Sequence, residues 1–232
     1  MNVVVTGATK GIGKAIAERF AKEGANLALC SRSQDDLNRL KDSLERKFNV
    51  EALTVACDVS KKSEVQDFAA AIKEHWDTID VLVNNAGMFI PGSTIEEDEG
   101  SLEKMIETNL YSAYHLTRAL LPVMMPNKSG HIFNLCSVAS LQAYPNGGSY
   151  SISKFALLGY SKALRVELME HSIKVTSLIP GAVLTPSWEG VDLPESRFID
   201  VSDVAELVWD VYSLSGRTVV EDLVIRPMLG DI

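Results

Sequence analysis

Tyr150 and Lys154 stand four residues apart in a segment, 149–170, whose apolar spacing predicts a helix, so both side chains fall on one helix face. An ammonium group beside a phenol favours the phenolate and lowers the tyrosine pKa, which turns an otherwise inert hydroxyl into a proton donor and acceptor near neutrality. Ser137 closes the preceding apolar run and offers a hydroxyl to a substrate oxygen and the negative charge growing on it. That chemistry suits a hydride added to a carbonyl, where the alkoxide formed must be given a proton. Taken singly, each residue has an ordinary structural explanation. A Tyr–Lys pair at this spacing is commonly solvated with buried stems, Ser137 would cap a strand end, and Asn109 would bond nearby backbone. Their joint placement at one edge of the expected sheet argues for a site.

A second chemistry is written at the N-terminus. Thr6-Gly7-Ala8-Thr9-Lys10-Gly11-Ile12-Gly13 lies between the first expected strand and the first expected helix. Glycines there let backbone N–H groups approach an anion at the positive end of the helix dipole, which favours a pyrophosphate; the same glycines would also serve a tight turn and close helix packing. At the end of the second strand, where dinucleotide folds commonly place a carboxylate for the ribose 2′-OH, the chain reads Cys30-Ser31-Arg32-Ser33. Arg32 offers a planar guanidinium to a 2′-phosphate, Ser31 and Ser33 offer hydroxyls, and Lys10 can approach the same phosphate. The reading is therefore NADP(H) over NAD(H).

The elements that must position these residues follow a regular alternation. Apolar runs at 2–5, 26–30, 51–56, 79–83, 131–136, 173–179 and 222–225 alternate with amphipathic stretches at 11–23, 34–48, 61–76, 101–125, 149–170 and 202–214. Strands apolar throughout are buried on both faces, which parallel sheets achieve by right-handed helical crossovers. The expected fold is α/β: one Rossmann-like domain over residues 1–232, a doubly wound parallel sheet flanked by helices on both faces. After Pro180 the texture turns to Pro, Gly, Ser and Trp, and 184–198 reads as a substrate lid with Trp188 and Phe198 able to cover a ligand.

These motifs, with Cys57-Asp58-Val59, Asn84-Asn85-Ala86-Gly87, Asn109, Ser137, Tyr150-Ser151-Ile152-Ser153-Lys154 and Pro180-Gly181, resemble the short-chain dehydrogenase/reductase family over nearly the whole chain. The resemblance implies an NADP(H)-dependent oxidoreductase acting on a carbonyl or secondary alcohol, with Tyr150 as general acid/base and Asn109, Ser137 and Lys154 as its catalytic companions. It implies that Asn109 helps hold a water that relays protons to the lysine. It adds cofactor contacts at Asp58 and Val59, at Asn84, Ala86 and Gly87, and at Pro180, Gly181, Val183 and Thr185, beside Gly7, Thr9, Lys10, Gly11, Ile12, Gly13, Ser31, Arg32, Tyr150 and Lys154. It also implies a homodimer or homotetramer.

Bulk properties narrow the partners. A formal charge of −9 repels phosphate backbones and anionic lipid, so neither nucleic acid nor membrane is expected as a partner. Cys30, Cys57 and Cys136 are odd in number and scattered, which fits neither a disulfide framework nor a metal set, and the four histidines show no metal spacing. With no basic, apolar leader at its start, the sequence reads as cytoplasmic. Glu96, Glu97, Asp98 and Glu99 read as a solvated loop. The alternative function is a catalytically silent NADP(H)-binding sensor or scaffold, which predicts erosion at Ser137, Tyr150 or Lys154; all three are present. A 3-oxoacyl thioester, a 3-hydroxy acid, a pterin side-chain ketone and a xenobiotic ketone are all compatible substrates.

Overall fold

The computed structural model describes all residues, Met1–Ile232. Seven strands form one sheet: β1 (Asn2–Thr6), β2 (Asn26–Ser31), β3 (Ala52–Ala56), β4 (Val81–Asn84), β5 (Gly130–Leu135), β6 (Ile173–Pro180) and β7 (Asp222–Ile225). Their order is β3-β2-β1-β4-β5-β6-β7, every pairing parallel. The winding reverses between β1 and β4, which opens a crevice at the C-terminal ends of those two strands.

Helices cover both faces because both faces are apolar. α1 (Gly11–Lys22), α2 (Gln34–Phe48) and α7 (Val201–Ser213) bury Ile16, Phe20, Leu37 and Val208 against Val3, Val5, Leu27 and Leu29. α3 (Lys62–His75), α5 (Ser112–Met124) and α6 (Gly148–Leu168) cover Val4, Ala28, Leu82 and Ile132 with Phe68, Leu116, Leu120 and Leu164. Ser33 caps α2, accepting from the Asp36 amide at 3.2 Å, and Asn49 ends it in the left-handed conformation.

Two departures from the sequence expectation matter for the site. The expected 101–125 helix is interrupted: α4 (Ser101–Ile106) passes through a π-helical turn, Glu107–Tyr111, before α5 begins. The wider turn carries Asn109, and such turns recur at functional sites. The central strands are also less apolar than expected. Asn84, His131, Asn134, Thr176 and Ser177 are buried in β4, β5 and β6. They survive there by pairing: Asn84 Nδ2 donates to Thr117 Oγ1 (3.0 Å) and Asn134 Oδ1 (2.8 Å), and Asn134 Nδ2 donates to Ser161 Oγ (2.8 Å). No helix is long and apolar enough to cross a membrane.

His131 is the titratable member of this interior. Thr176 Oγ1 donates to the Val220 carbonyl (2.6 Å), so it accepts from His131 Nε2–H (2.7 Å), which leaves Nδ1 buried without a partner. The ring stacks on Phe133 at 3.9 Å, and burial pushes its pKa down to about 3. Below the ordinary histidine value the unfolded chain takes up a proton that the folded chain refuses, so this contribution is complete above about pH 6.5 and lost as the pH falls. We expect denaturant titrations to show about 2 kcal/mol less stability at pH 5 than at pH 7 from this group. His131→Phe should flatten that slope; an unchanged slope would mean the histidine is not the acid-sensitive element.

Candidate active site

The crevice at the β1–β4 reversal continues as a groove of about 650 Å³ along the C-terminal sheet edge. Its phosphate end is built by the β1–α1 turn. Gly7 (φ 64°) and Gly11 (φ 54°) occupy the left-handed region that favours glycine, and no side chain caps the start of α1. The open helix terminus therefore faces the groove with its N–H groups free for an anion. Gly7, Thr9, Lys10, Gly11 and Ile12 line this end. Gly13 does not: a methyl there would collide with the Asn85 amide and the Gly7 carbonyl, so this glycine serves close packing of α1. The cradle fits a dinucleotide pyrophosphate.

Ser31, Arg32 and Ser33 line the far end of the groove, with Asp58 and Val59 across from them. Asp36 lies there too and was not expected from sequence. Its carboxylate pairs with Arg39 at 2.5 Å, and that bond, helped by the Ser33 hydroxyl and by the charge of Lys10, holds its pKa below the usual carboxylate range. With Asp36 answered by Arg39, Lys10 and Arg32 remain as two cations for a 2′-phosphate.

At the centre, side-chain parity at the end of β4 separates two asparagines. Asn84 is turned toward Thr117 and Asn134, inside the sheet, and Asn85 is the one on the groove. Asn85 Nδ2 donates to the carbonyls of Thr6 (2.8 Å) and Gly7 (3.2 Å), tying β4 to the phosphate turn. Ala86, Gly87 and Thr185 line the groove as expected. Pro180 and Val183 are buried, and Gly181 packs against Pro227 and Asp231; these three support the loop beyond β6 and do not line the groove.

Ser137, Tyr150 and Lys154 gather beyond Gly87. Ser137 follows β5 and caps a short turn: its Oγ accepts from the Ala139 amide (3.1 Å) while its own amide donates to Ser140 Oγ (3.2 Å). The cap fixes the Ser137 hydroxyl near that of Tyr150, where it opposes the rise that burial imposes on the tyrosine pKa. Lys154, 3% exposed, donates from Nζ to the Leu135 carbonyl (2.7 Å) and stands 5.7 Å over the Tyr150 ring. Burial pushes its pKa down to about 8. The expected lowering of the tyrosine pKa by the lysine is absent here, because the ammonium is turned to a carbonyl and burial dominates at the phenol.

Asn109 is 1% exposed and holds three bonds: Oδ1 accepts from the Met88 amide (2.7 Å), and Nδ2 donates to the Met88 carbonyl (3.0 Å) and Ser153 Oγ (2.9 Å). A side chain at Gly87 would press on Asn109 Oδ1 and touch Lys154 Nζ. The missing side chain lets the strand end pass between them.

Glu97 is a residue whose role the sequence hid. It is not part of a solvated acidic run: Oε1 bonds the Ser149 hydroxyl, and Oε2 is buried. α6 starts at Gly147–Gly148 with no side-chain cap of its own, so a carboxylate from 52 residues upstream stands at its positive end. Backbone bonds Gly92 N–H to Asn146 (2.9 Å) and Gly148 N–H to Gly92 (3.2 Å) complete the clasp. Glu97→Ala should cost about 1 kcal/mol, within the range for a lost cap. It should also speed amide exchange in the first turn of α6, including Tyr150. Exchange equal to wild type there would show that the helix start is held by the backbone bonds alone.

Comparison with known proteins places this geometry. The family model described as short chain dehydrogenase matches residues 1–195. A sepiapterin reductase from Chlorobaculum tepidum is 36% identical over 99% of this chain and 97% of its own. Among solved structures, an alcohol dehydrogenase from the archaeon Thermococcus sibiricus, complexed with 5-hydroxy-NADP, superposes with a TM-score of 0.93 at 30% identity, covering 100% of this chain and 98% of that one. L-sorbose reductase from Gluconobacter frateurii, complexed with NADPH and L-sorbose, superposes at 0.89 and 30% identity, covering 97% and 94%. Sequence motifs, sheet order and these matches agree: the chain belongs to the short-chain dehydrogenase family of oxidoreductases.

Proposed function

We propose that this protein is an NADP(H)-dependent oxidoreductase that interconverts a carbonyl compound and a secondary alcohol, with Tyr150 as general acid and base. The observation that carries the reading is the convergence of Ser137, Tyr150 and Lys154 beyond Gly87, at the end of a groove whose far wall holds Lys10 and Arg32. The bound nicotinamide supplies or accepts the hydride. Relatives crystallised with NADP or NADPH support that cofactor for this chain.

The chain's own residues handle binding and the proton. Backbone N–H groups at the start of α1 meet the pyrophosphate, and Arg32 and Lys10 meet the 2′-phosphate. Tyr150, kept protonated by burial, gives its proton to the carbonyl oxygen in the reductive direction, and the Ser137 hydroxyl stabilises the charge developing there. A lysine titrating near 8 can restore that proton at neutral pH, and its position between Tyr150 and the Leu135 carbonyl makes it the next member of the path. Asn109 positions this path by anchoring Met88 and Ser153. The loop 184–198, closed at its base by the Val183–Ile199 bridge and stiffened by the Trp188–Phe198 contact at 5.1 Å, covers the substrate.

We place the protein in the cytoplasm, whose reducing conditions suit three free, buried cysteines. We also assign it a homo-oligomeric state. Ile152, Phe155 and Val166 form an exposed apolar stripe at helical spacing on α6, and Tyr111 adds to it from the neighbouring π-helical turn.

Titration with NADPH and NADH should show tighter binding of NADPH by tenfold or more, an advantage that Arg32→Ala removes. Tyr150→Phe should keep NADPH affinity and lose ketone-dependent NADPH oxidation by at least a hundredfold. Intact binding with no turnover of any carbonyl by the wild type would favour the sensor reading instead. Light scattering should give a dimer or tetramer that Phe155→Glu dissociates; a monomeric wild type would remove the oligomer assignment.

A further inference from the structure

The proposed reaction leaves open what kind of carbonyl compound reaches Tyr150, and the surroundings of that hydroxyl answer in residues the mechanism does not use. Phe89 meets the Tyr150 ring edge-on, centroids 5.0 Å apart at 75°, yet remains 48% exposed. Leu141, four residues past Ser137, is 45% exposed, and Tyr144 is 41% exposed with its hydroxyl within electrostatic reach of Tyr150. Of these, Phe89 and Tyr144 lie beside Tyr150, and two half-exposed aromatic side chains there leave a surface with something to bind.

The wall is held in shape before any ligand arrives. The loop that carries Phe89 is tied to the start of α6 by the Gly92–Asn146 and Gly148–Gly92 backbone bonds and by Glu97 on Ser149. The Tyr144 ring lies directly on Gly147, where a methyl group would collide with it. A fixed aromatic edge and an aromatic face set beside the reacting oxygen suit a flat ring, which gains offset or edge contacts that a branched aliphatic chain cannot make.

Charge narrows the class further. Of the three groove cations, Lys10 and Arg32 stand at the phosphate end and Lys104 lines the groove together with Glu107, and the charged residues nearest the wall in sequence are Glu96, Glu97, Asp98 and Glu99. A carboxylate or a thioester on an anionic carrier would meet the field of a chain of net charge −9, and the cation beside Tyr150, Lys154, is buried and already bonded to the Leu135 carbonyl.

We propose that Phe89 and Tyr144 form the specificity wall of the site and select a neutral ketone bearing a planar aromatic or heteroaromatic ring next to the carbonyl. This rests on the carbonyl-reductase reading above and adds the substrate class. Three NADPH-coupled substrates separate the possibilities: 1-phenyl-1,2-propanedione (neutral, aryl), diacetyl (neutral, aliphatic) and acetoacetate (anionic). The expected order of kcat/KM is aryl over aliphatic by at least tenfold and over the anion by at least a hundredfold. Phe89→Ala should reduce the aryl-to-aliphatic ratio about tenfold through KM, and Phe89→Tyr should restore it. Equal values for the two diones, a preference for acetoacetate, or a ratio indifferent to Phe89→Ala would each overturn the proposal.

Saturation-transfer NMR with 1-phenylethanol against 2-butanol, at saturating NADP, reads the same wall without turnover. Stronger transfer to the aryl alcohol that weakens in Phe89→Ala supports the wall even if no ketone is reduced, in which case it is the reductase reading that fails. Equal transfer to both alcohols overturns the wall.

Discussion

The Asn85 side chain, donating to the carbonyls of Thr6 and Gly7, closes the one place where this sheet changes direction, and the rest of the site hangs on that closure. Parallel strands deliver all their C-terminal ends to one edge, and at the β1–β4 reversal the two crossovers leave in opposite directions, exposing carbonyls that no neighbouring strand can satisfy. Thr6 Oγ1 answers from the other side, accepting the amides of Asn85 and Ala86 at 3.0 Å each. The phosphate turn and the strand leading to Gly87 thus become one rigid unit. Because Gly13 lets α1 press onto that unit, the helix terminus that would meet the pyrophosphate is fixed relative to the residues that handle the proton.

The proton-handling end obeys a different constraint, the cost of burying polar groups. Tyr150 and Lys154 are both driven toward their neutral forms by desolvation, the phenol upward and the ammonium downward to about 8. Both groups ordinarily titrate well above neutrality, and burial moves them in opposite senses: the phenol goes further up and stays protonated, while the lysine comes within reach of neutrality. The Leu135 carbonyl holds the lysine, the capped Ser137 hydroxyl stands by the tyrosine, and Asn109 locks the neighbouring Met88 and Ser153. A positive charge brought close to the phenol would shift this balance toward the tyrosinate, which ties the proton donor's strength to what occupies the groove.

Much of this was legible in the sequence, for reasons of periodicity. Continuous apolar strands between amphipathic stretches specify a parallel, doubly wound sheet almost alone, and Tyr150, Lys154, Arg32 and the glycine turn stand out because their spacing is local. What escaped is what depends on orientation at an element's end or on contact over distance. Nothing in Asn84-Asn85 says which side chain looks inward, since a strand of only four residues ends there and one step of parity decides it. The π-turn around Asn109 contains neither glycine nor proline, so a change of hydrogen-bond register inside the 101–125 stretch leaves no compositional trace. Asp36 reads as an ordinary first-turn acid of α2, and only the fold shows that it lines the groove, paired with Arg39.

Glu97 shows why such contacts matter to chemistry as well as to stability. A helix that begins Gly-Gly is poorly started, since glycine gives up the most backbone freedom on folding and neither residue can cap. Placing Tyr150 in the first turn of that helix puts the reacting hydroxyl at its least constrained end. The strain of that arrangement is relieved from elsewhere, by a carboxylate on the loop that also carries Phe89, so the same clasp that orders the proton donor orders the wall beside it. The small residues at 147 and 148 are then explained: Gly147 makes room for the Tyr144 ring and Gly148 for the backbone of Thr94. Helix stability has been surrendered locally so that two loops can close on the first turn, which makes the order of Tyr150 and of Phe89 depend on one set of contacts.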